Sequence, residues 1–262
     1  MKRKSGSGCS PLLGHTVWAL AVMLAVSVGF GGSAWGAEKW FGIHGGPSIP
    51  SLRGGGGNPN SEGFSSRFGP YFGAFGEYCL NDNFAIRVEA NYSSEGGQRN
   101  GLQPFPDPAL SEQLGTAVFA NYRNEAILDY IEVPFMAKYS LGGLTRFFVD
   151  AGPYVGYLVR AKTVTSGVSA LFDQSGNLLA TPPEFPPNFD FDADTDIKDD
   201  VNKWNFGAAG GLGIETPFGP GKVVLDAHFS YGLTNIQKNT AENGSNNTGA
   251  VAFTLGYTYP LK

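Results

Sequence analysis

The stretch Tyr130-Ile131-Glu132-Val133-Pro134-Phe135-Met136-Ala137-Lys138-Tyr139 alternates apolar and polar side chains with a period of two. That is the period of a β-strand, whose successive side chains point to opposite faces. Read so, Ile131, Val133, Phe135, Ala137, Tyr139 and Leu141 share one face, and Tyr130, Glu132, Met136, Lys138 and Ser140 share the other. The apolar face requires an apolar medium. The opposite face carries charges that must be wet or paired, which inverts a soluble sandwich and matches a strand of a transmembrane β-barrel.

Working outward, the same alternation recurs. Strands are expected at residues 40–49, 67–80, 84–92, 130–139, 146–162, 203–216, 223–236 and 250–261. The third is the clearest, with Phe84, Ile86, Val88, Ala90 and Tyr92 facing out and Arg87, Glu89 and Asn91 facing in. Short turns are expected at Asn81-Asp82-Asn83, Gly142-Gly143-Leu144-Thr145 and Phe218-Gly219-Pro220-Gly221. Long polar connections separate the other pairs, and residues 111–119 could form a helical turn within one of them. The alternation of long and short connections predicts an all-β, eight-stranded, antiparallel up-and-down barrel with short periplasmic turns and long extracellular loops. Closure removes unpaired strand edges from lipid.

Composition agrees with this class. In 262 residues, 42% are hydrophobic, only 16% are charged and 13% are aromatic, with 38 glycines. Residues 1–37 read as a secretory signal peptide: basic Lys2, Arg3 and Lys4, an apolar run over 17–26, then small residues allowing cleavage after Ala34 or Ala37. The run is shorter than the 18 or so residues a membrane helix requires. Cys9 would leave with the leader, and Cys79 alone can form no internal disulfide. Without the leader, 15 basic residues face 23 acidic ones, a net charge near −8 that disfavours nucleic acid as a partner. Residues 38–262 are therefore expected to form one barrel domain.

The strand Tyr130-Ile131-Glu132-Val133-Pro134 resembles the Tyr-Ile/Leu-Glu-Ile/Val-Pro strand of the PorT-like outer-membrane β-barrel family of Gram-negative bacteria. The resemblance continues through Phe148-Val149-Asp150-Ala151-Gly152-Pro153-Tyr154-Val155-Gly156-Tyr157, the glycines from Gly207 to Gly213, and Tyr231-Gly232-Leu233-Thr234-Asn235-Ile236. It implies an outer-membrane barrel in contact with lipid and lipopolysaccharide, and says little about activity. Thr254-x-Gly256-x-x-Tyr259-x-Leu261 resembles the terminal-strand signal read by the barrel assembly machinery, although Lys262 stands where an aromatic residue usually ends it.

Several groups are candidate sites. The inward charges Arg67, Arg87, Lys138, Arg160, Lys162 and Lys203 against Glu77, Glu89, Glu132, Asp150, Glu215 and Asp226 balance in sign. They would fill an eight-stranded lumen, whose bore holds little more than side chains. The alternative is a narrow porin-like conduit with Arg67, Arg160, Lys162 and Lys203 attracting anions at the outer mouth. Asp226, His228 and Ser230 share one face, and His228-x-Ser230 resembles the pair of outer-membrane lipid A deacylases, but neighbours on one strand rarely give attack geometry. His44 reads as structural. The run Asp190, Asp192, Asp194 and Asp196 is a weak calcium candidate, lacking the glycine turn and closing Glu of an EF-hand loop. Gly54 to Gly57 lacks the Lys-Ser/Thr of a phosphate loop. The sequence therefore predicts a non-enzymatic, cofactor-free barrel of structural or surface-interaction type, its long loops open to an extracellular ligand. A lipid-modifying enzyme or a soluble all-β protein is the lesser reading.

Overall fold

The computed structural model describes residues 38–261 except 56, 106, 107, 181, 182 and 184; the expected leader and Lys262 lie outside the described residues. The chain enters as strands β1 Lys39–Gly54, β2 Gly69–Cys79, β3 Phe84–Pro104, β4 Phe119–Gly142 and β5 Arg146–Ser166. Four short strands follow in one long connection: β6 Val168–Ser169, β7 Leu171–Phe172, β8 Phe189–Asp190 and β9 Ala193–Asp196. Strands β10 Trp204–Phe218, β11 Gly221–Gly232 and β12 Asn246–Leu261 complete the wall.

The wall strands pair antiparallel in the order β4-β3-β2-β1-β12-β11-β10-β5, and β4 also pairs with β5. Each wall strand thus has a neighbour on both sides, and the backbone groups that lipid cannot satisfy are paired. Short turns join β2 to β3, β4 to β5 and β10 to β11, as the sequence predicts.

Alternation fixes which face meets lipid. Phe41, Ile43, Phe72, Phe135, Phe147, Leu212, Phe253 and Leu255 all point outward and are exposed. In water they would form an apolar patch far larger than a monomer tolerates; in a bilayer they are the hydrocarbon-facing belt. Cross-strand ring pairs stiffen it, Phe72 with Tyr92 at 5.0 Å and Phe84 with Tyr139 at 4.7 Å between centroids. Inside, large rings lie over glycine on the neighbouring strand. A Cβ on Gly42 would sit 2.5 Å from the Phe75 ring, and one on Gly213 would sit 2.5 Å from the Phe148 ring.

The wall is uneven in height, which the sequence reading did not anticipate. β3 runs on to Pro104 and β4 begins at Phe119, so much of the expected 94–125 loop is paired strand, Pro104 opposite Phe119. A helix spans Pro108–Leu114 rather than 111–119. Here the outward face is no longer apolar and the buried inward face mixes Glu95 and Gln103 with Tyr122 and Leu128, so period-two hydrophobicity fades while backbone pairing persists.

One residue also changes a face assignment. Tyr130 pairs with Leu158 while Asp129 pairs with Arg160, leaving Val159 as an extra residue in β5. Such a bulge reverses the inward-outward parity of everything beyond it. Ala161 therefore turns in, and Arg160 turns out with a side chain 56% exposed.

Candidate functional site: the barrel interior

The lower lumen is built from alternate residues of neighbouring strands. Arg87 on β3 is fully buried and meets four carboxylates: Glu89 at 2.6 Å, Asp150 at 3.3 Å, Asp226 at 3.7 Å and Glu77 at 3.9 Å. Its guanidinium lies 4.1 Å from the centroid of the Phe75 ring, a cation–π contact. Lys138 on β4 reaches Glu77 at 2.8 Å and Glu215 at 2.7 Å, and its ammonium lies 4.4 Å from the Phe148 ring. Lys222 at 3.2 Å and Arg146 at 4.0 Å reach Glu215 from the periplasmic end. These contacts join β2, β3, β4, β5, β10 and β11 across the bore.

Above this layer the lumen becomes apolar. Leu52 from β1, Ala126, Leu128 and Tyr130 from β4, and Leu158 and Ala161 from β5 pack with Val201 and Ile236 from the outer connections. Phe64 and Ile197 flank this cluster. The long connections therefore fold into the mouth and close it.

Of the expected lumen charges, Glu77, Arg87, Glu89, Glu132, Lys138, Asp150, Glu215 and Asp226 are buried inside the barrel. Arg67 is buried at the upper rim, bonded to Glu125 at 2.9 Å and to the carbonyls of Ser94 and Glu95. Three placements are corrected. Arg160 and Lys162 lie beyond the Val159 bulge and point outward, pairing with Asp129 and Asp194, each at 2.5 Å. Lys203 precedes β10 and is exposed. The balanced interior and the cationic mouth both lose their basis, since Arg67, Arg160 and Lys162 each face a carboxylate.

Glu95 was missed, although it continues the inward series Arg87, Glu89, Asn91, Ser93. Extending period two past Tyr92 would have found it. The buried lumen accordingly holds more carboxylates than cations.

The remaining candidates are placed as follows. His228 is 2% exposed, and neither ring nitrogen has a hydrogen-bond partner; its ring stacks on Tyr71 at 5.1 Å. The Ser230 hydroxyl bonds Glu95 at 3.3 Å instead of His228, so the relay of a hydrolase is not formed. His44 bonds Asn91 at 2.8 Å. In the acidic connection Asp190 accepts from the Asp192 amide, Asp192 from Gly167, Asp194 from Lys162 and Asp196 from the Lys198 amide. Each carboxylate serves a turn or an ion pair, and among the described residues no group of three or more His, Cys, Asp or Glu is placed to hold a metal.

The closed ring, lipid-facing belt and polar interior define a transmembrane β-barrel of the outer-membrane type. A family model described as outer membrane protein beta-barrel domain matches residues 24–238, and the chain belongs to that family. Its place is the outer membrane of a Gram-negative bacterium. A search of curated proteins returned no match. Among solved structures the chain is similar to Ail, the attachment invasion locus protein of Yersinia pestis, at 12% identity, covering 85% of this chain and 99% of that one with a TM-score of 0.39. Neisserial surface protein A is similar at 12% identity over 86% and 98%, TM-score 0.38. Escherichia coli outer membrane protein W is similar at 15% identity over 86% and 100%, TM-score 0.36.

Proposed function

We propose that this protein is a non-conducting barrel that anchors a folded extracellular crown for surface interaction. The observation that carries the reading is the double closure of the lumen, by the ion layer around Arg87 and by the apolar cluster around Leu128. The crown supplies the working surface. There Leu110, Val118 and Leu171 pack with Phe105, Leu114, Leu179, Phe185 and Phe189, and the Tyr122 and Phe191 rings stack at 4.5 Å. Loops on a rigid scaffold are where binding residues concentrate.

The proposal extends to the PorT-like kinship suggested by the Tyr130–Pro134 motif, to a leader ending at residue 34 or 37, and to one barrel domain from residue 38. Lipopolysaccharide around the belt, the assembly machinery acting on β12, and an extracellular ligand at the crown are the partners it entails. Enzymatic activity is not part of it, because Ser230 is bonded to an acid within the lumen rather than set against a base facing lipid.

Planar-bilayer recording of the refolded mature chain tests it, after a gel shift of the unheated protein has verified the barrel. Silence is expected. Discrete, reproducible openings would overturn the reading in favour of the narrow channel.

A further inference from the structure

Two lumen carboxylates take no part in the ion layer. Glu95 on β3 and Glu132 on β4 are buried to 0% and 1% exposure, between the Arg87 layer below and the apolar cluster above. No basic side chain forms an ion pair with either among the described residues. The nearest cation, Arg67, spends its Nε on Glu125 and its Nη1 on the Ser94 side chain and on main-chain carbonyls, Glu95's own among them. Arg87 and Lys138 are already outnumbered by their own acids. Hydroxyls surround the pair: Ser93 donates to Glu95 at 2.9 Å, and Ser230 reaches it across the bore at 3.3 Å.

A separate observation points to a ligand. The Tyr130 hydroxyl, on a side chain with 0% exposure, has no hydrogen-bond partner, nor do Glu95 Oε2 and Glu132 Oε1. Tyr130 stands opposite Ser93 in the β3–β4 register, beside Glu132 on the inner face of β4 and within electrostatic reach of both carboxylates. Three buried oxygens without partners thus belong to neighbouring inward positions of β3 and β4, where a buried, unpaired charge is costly.

We propose that Glu95, Glu132 and Tyr130 bind a hard divalent cation, calcium in preference to magnesium, enclosed in the barrel as it folds. The ligands are all oxygens, which suits either ion. Calcium tolerates an irregular set of carboxylates and hydroxyls, whereas magnesium demands near-octahedral geometry and keeps its waters. With the mouth closed and the ion layer below, the cation enters during folding and leaves slowly.

The test refolds the mature chain from chelator-treated denaturant with calcium chloride, magnesium chloride or neither, then desalts it. Metal analysis of the wild type is expected to retain about one calcium per chain, as a dedicated oxygen site would. The temperature at which the folded gel band converts to the unfolded one is expected to rise by several degrees with calcium. Glu95→Gln/Glu132→Gln keeps the shape and removes the charge; it should fold equally with or without calcium and retain none. Retention is read on the wild type without any variant. No retained calcium, equal retention by the double variant, or stabilisation by acid alone, as for a pair sharing a proton, would each overturn the proposal.

Discussion

The two halves of the barrel interior are closed by opposite chemistry. The lower half is ionic, with Arg87 and Lys138 each held between carboxylates from different strands; the upper half is apolar, with Leu128 and Leu158 meeting Val201 and Ile236 from the outer connections. Below, apart from the Arg87–Glu89 pair within β3, the contacts join strand to strand, so the layer cross-links the wall itself. Above, part of the closure, Val201 and Ile236 with Phe64 and Ile197 beside them, belongs to connections that reach over the mouth. The lower layer is therefore the part the barrel cannot lose, and the upper one is a lid assembled on a wall that already stands.

The largest effect that separates the halves is expected at Arg87. Arg87→Met keeps bulk but strands Glu77, Glu89, Asp150 and Asp226 together without their shared cation. Removing one member of a buried ionic cluster costs on the order of 3–5 kcal/mol. Urea titration followed on unheated gels is expected to show the folded band lost at much lower denaturant, and an unchanged midpoint would show that the layer is not what holds the wall. Leu128→Ala should cost less, about 3 kcal/mol for a cavity in a partly collapsible site. The same variant is expected to stay silent in a planar bilayer, because the ion layer still blocks the bore. Conductance from Leu128→Ala alone would mean that the upper lid, not the ion layer, is the seal.

The same contrast explains what could be read in the sequence. Inside the membrane one strand face must be apolar, so alternation alone placed Phe84, Ile86 and Val88 outside and Arg87 and Glu89 inside. The glycines opposite Phe75 and Phe148 follow from the same geometry. Where that medium ends, so does the signal. β3 and β4 continue as strands through residues whose outward face is polar and whose buried inward face mixes polar and apolar side chains, and Glu95 was lost to an assumed loop. The single extra residue Val159 leaves no mark in composition, yet it moved Arg160 and Lys162 from the lumen to the outer surface. Val201 sits in polar, irregular sequence and Ile236 beyond the Gly232 end of a strand expected to reach it, and their burial depends on a mouth that only the folded wall provides.

The crown gives the smallest and most local expectation. In the hairpin after β7, Asp173 accepts from the amides of Ser175 at 2.8 Å and Asn177 at 2.9 Å with one carboxylate oxygen, and from the Asn177 side chain at 3.0 Å with the other. The side-chain amide of Asn177, followed by the backbone amides, holds the Asp173 carboxyl below its ordinary range even though the group is exposed. A depressed folded-state value means that the turn is favoured in full above the ordinary carboxylate range, and that this contribution is lost as pH falls from there through the lowered value. Unlike the lumen charges, this one can be titrated without unfolding the wall. NMR titration of the Asp173 carboxyl in detergent is expected to give a midpoint below that of a free aspartate, and Asn177→Ala should return it most of the way. A midpoint that Asn177→Ala leaves in place would show that the backbone amides alone set the turn. Either way the barrel should survive the titration range of this one carboxylate, because no wall strand depends on it. The crown can therefore change its hairpins while the ion layer keeps the same wall beneath them.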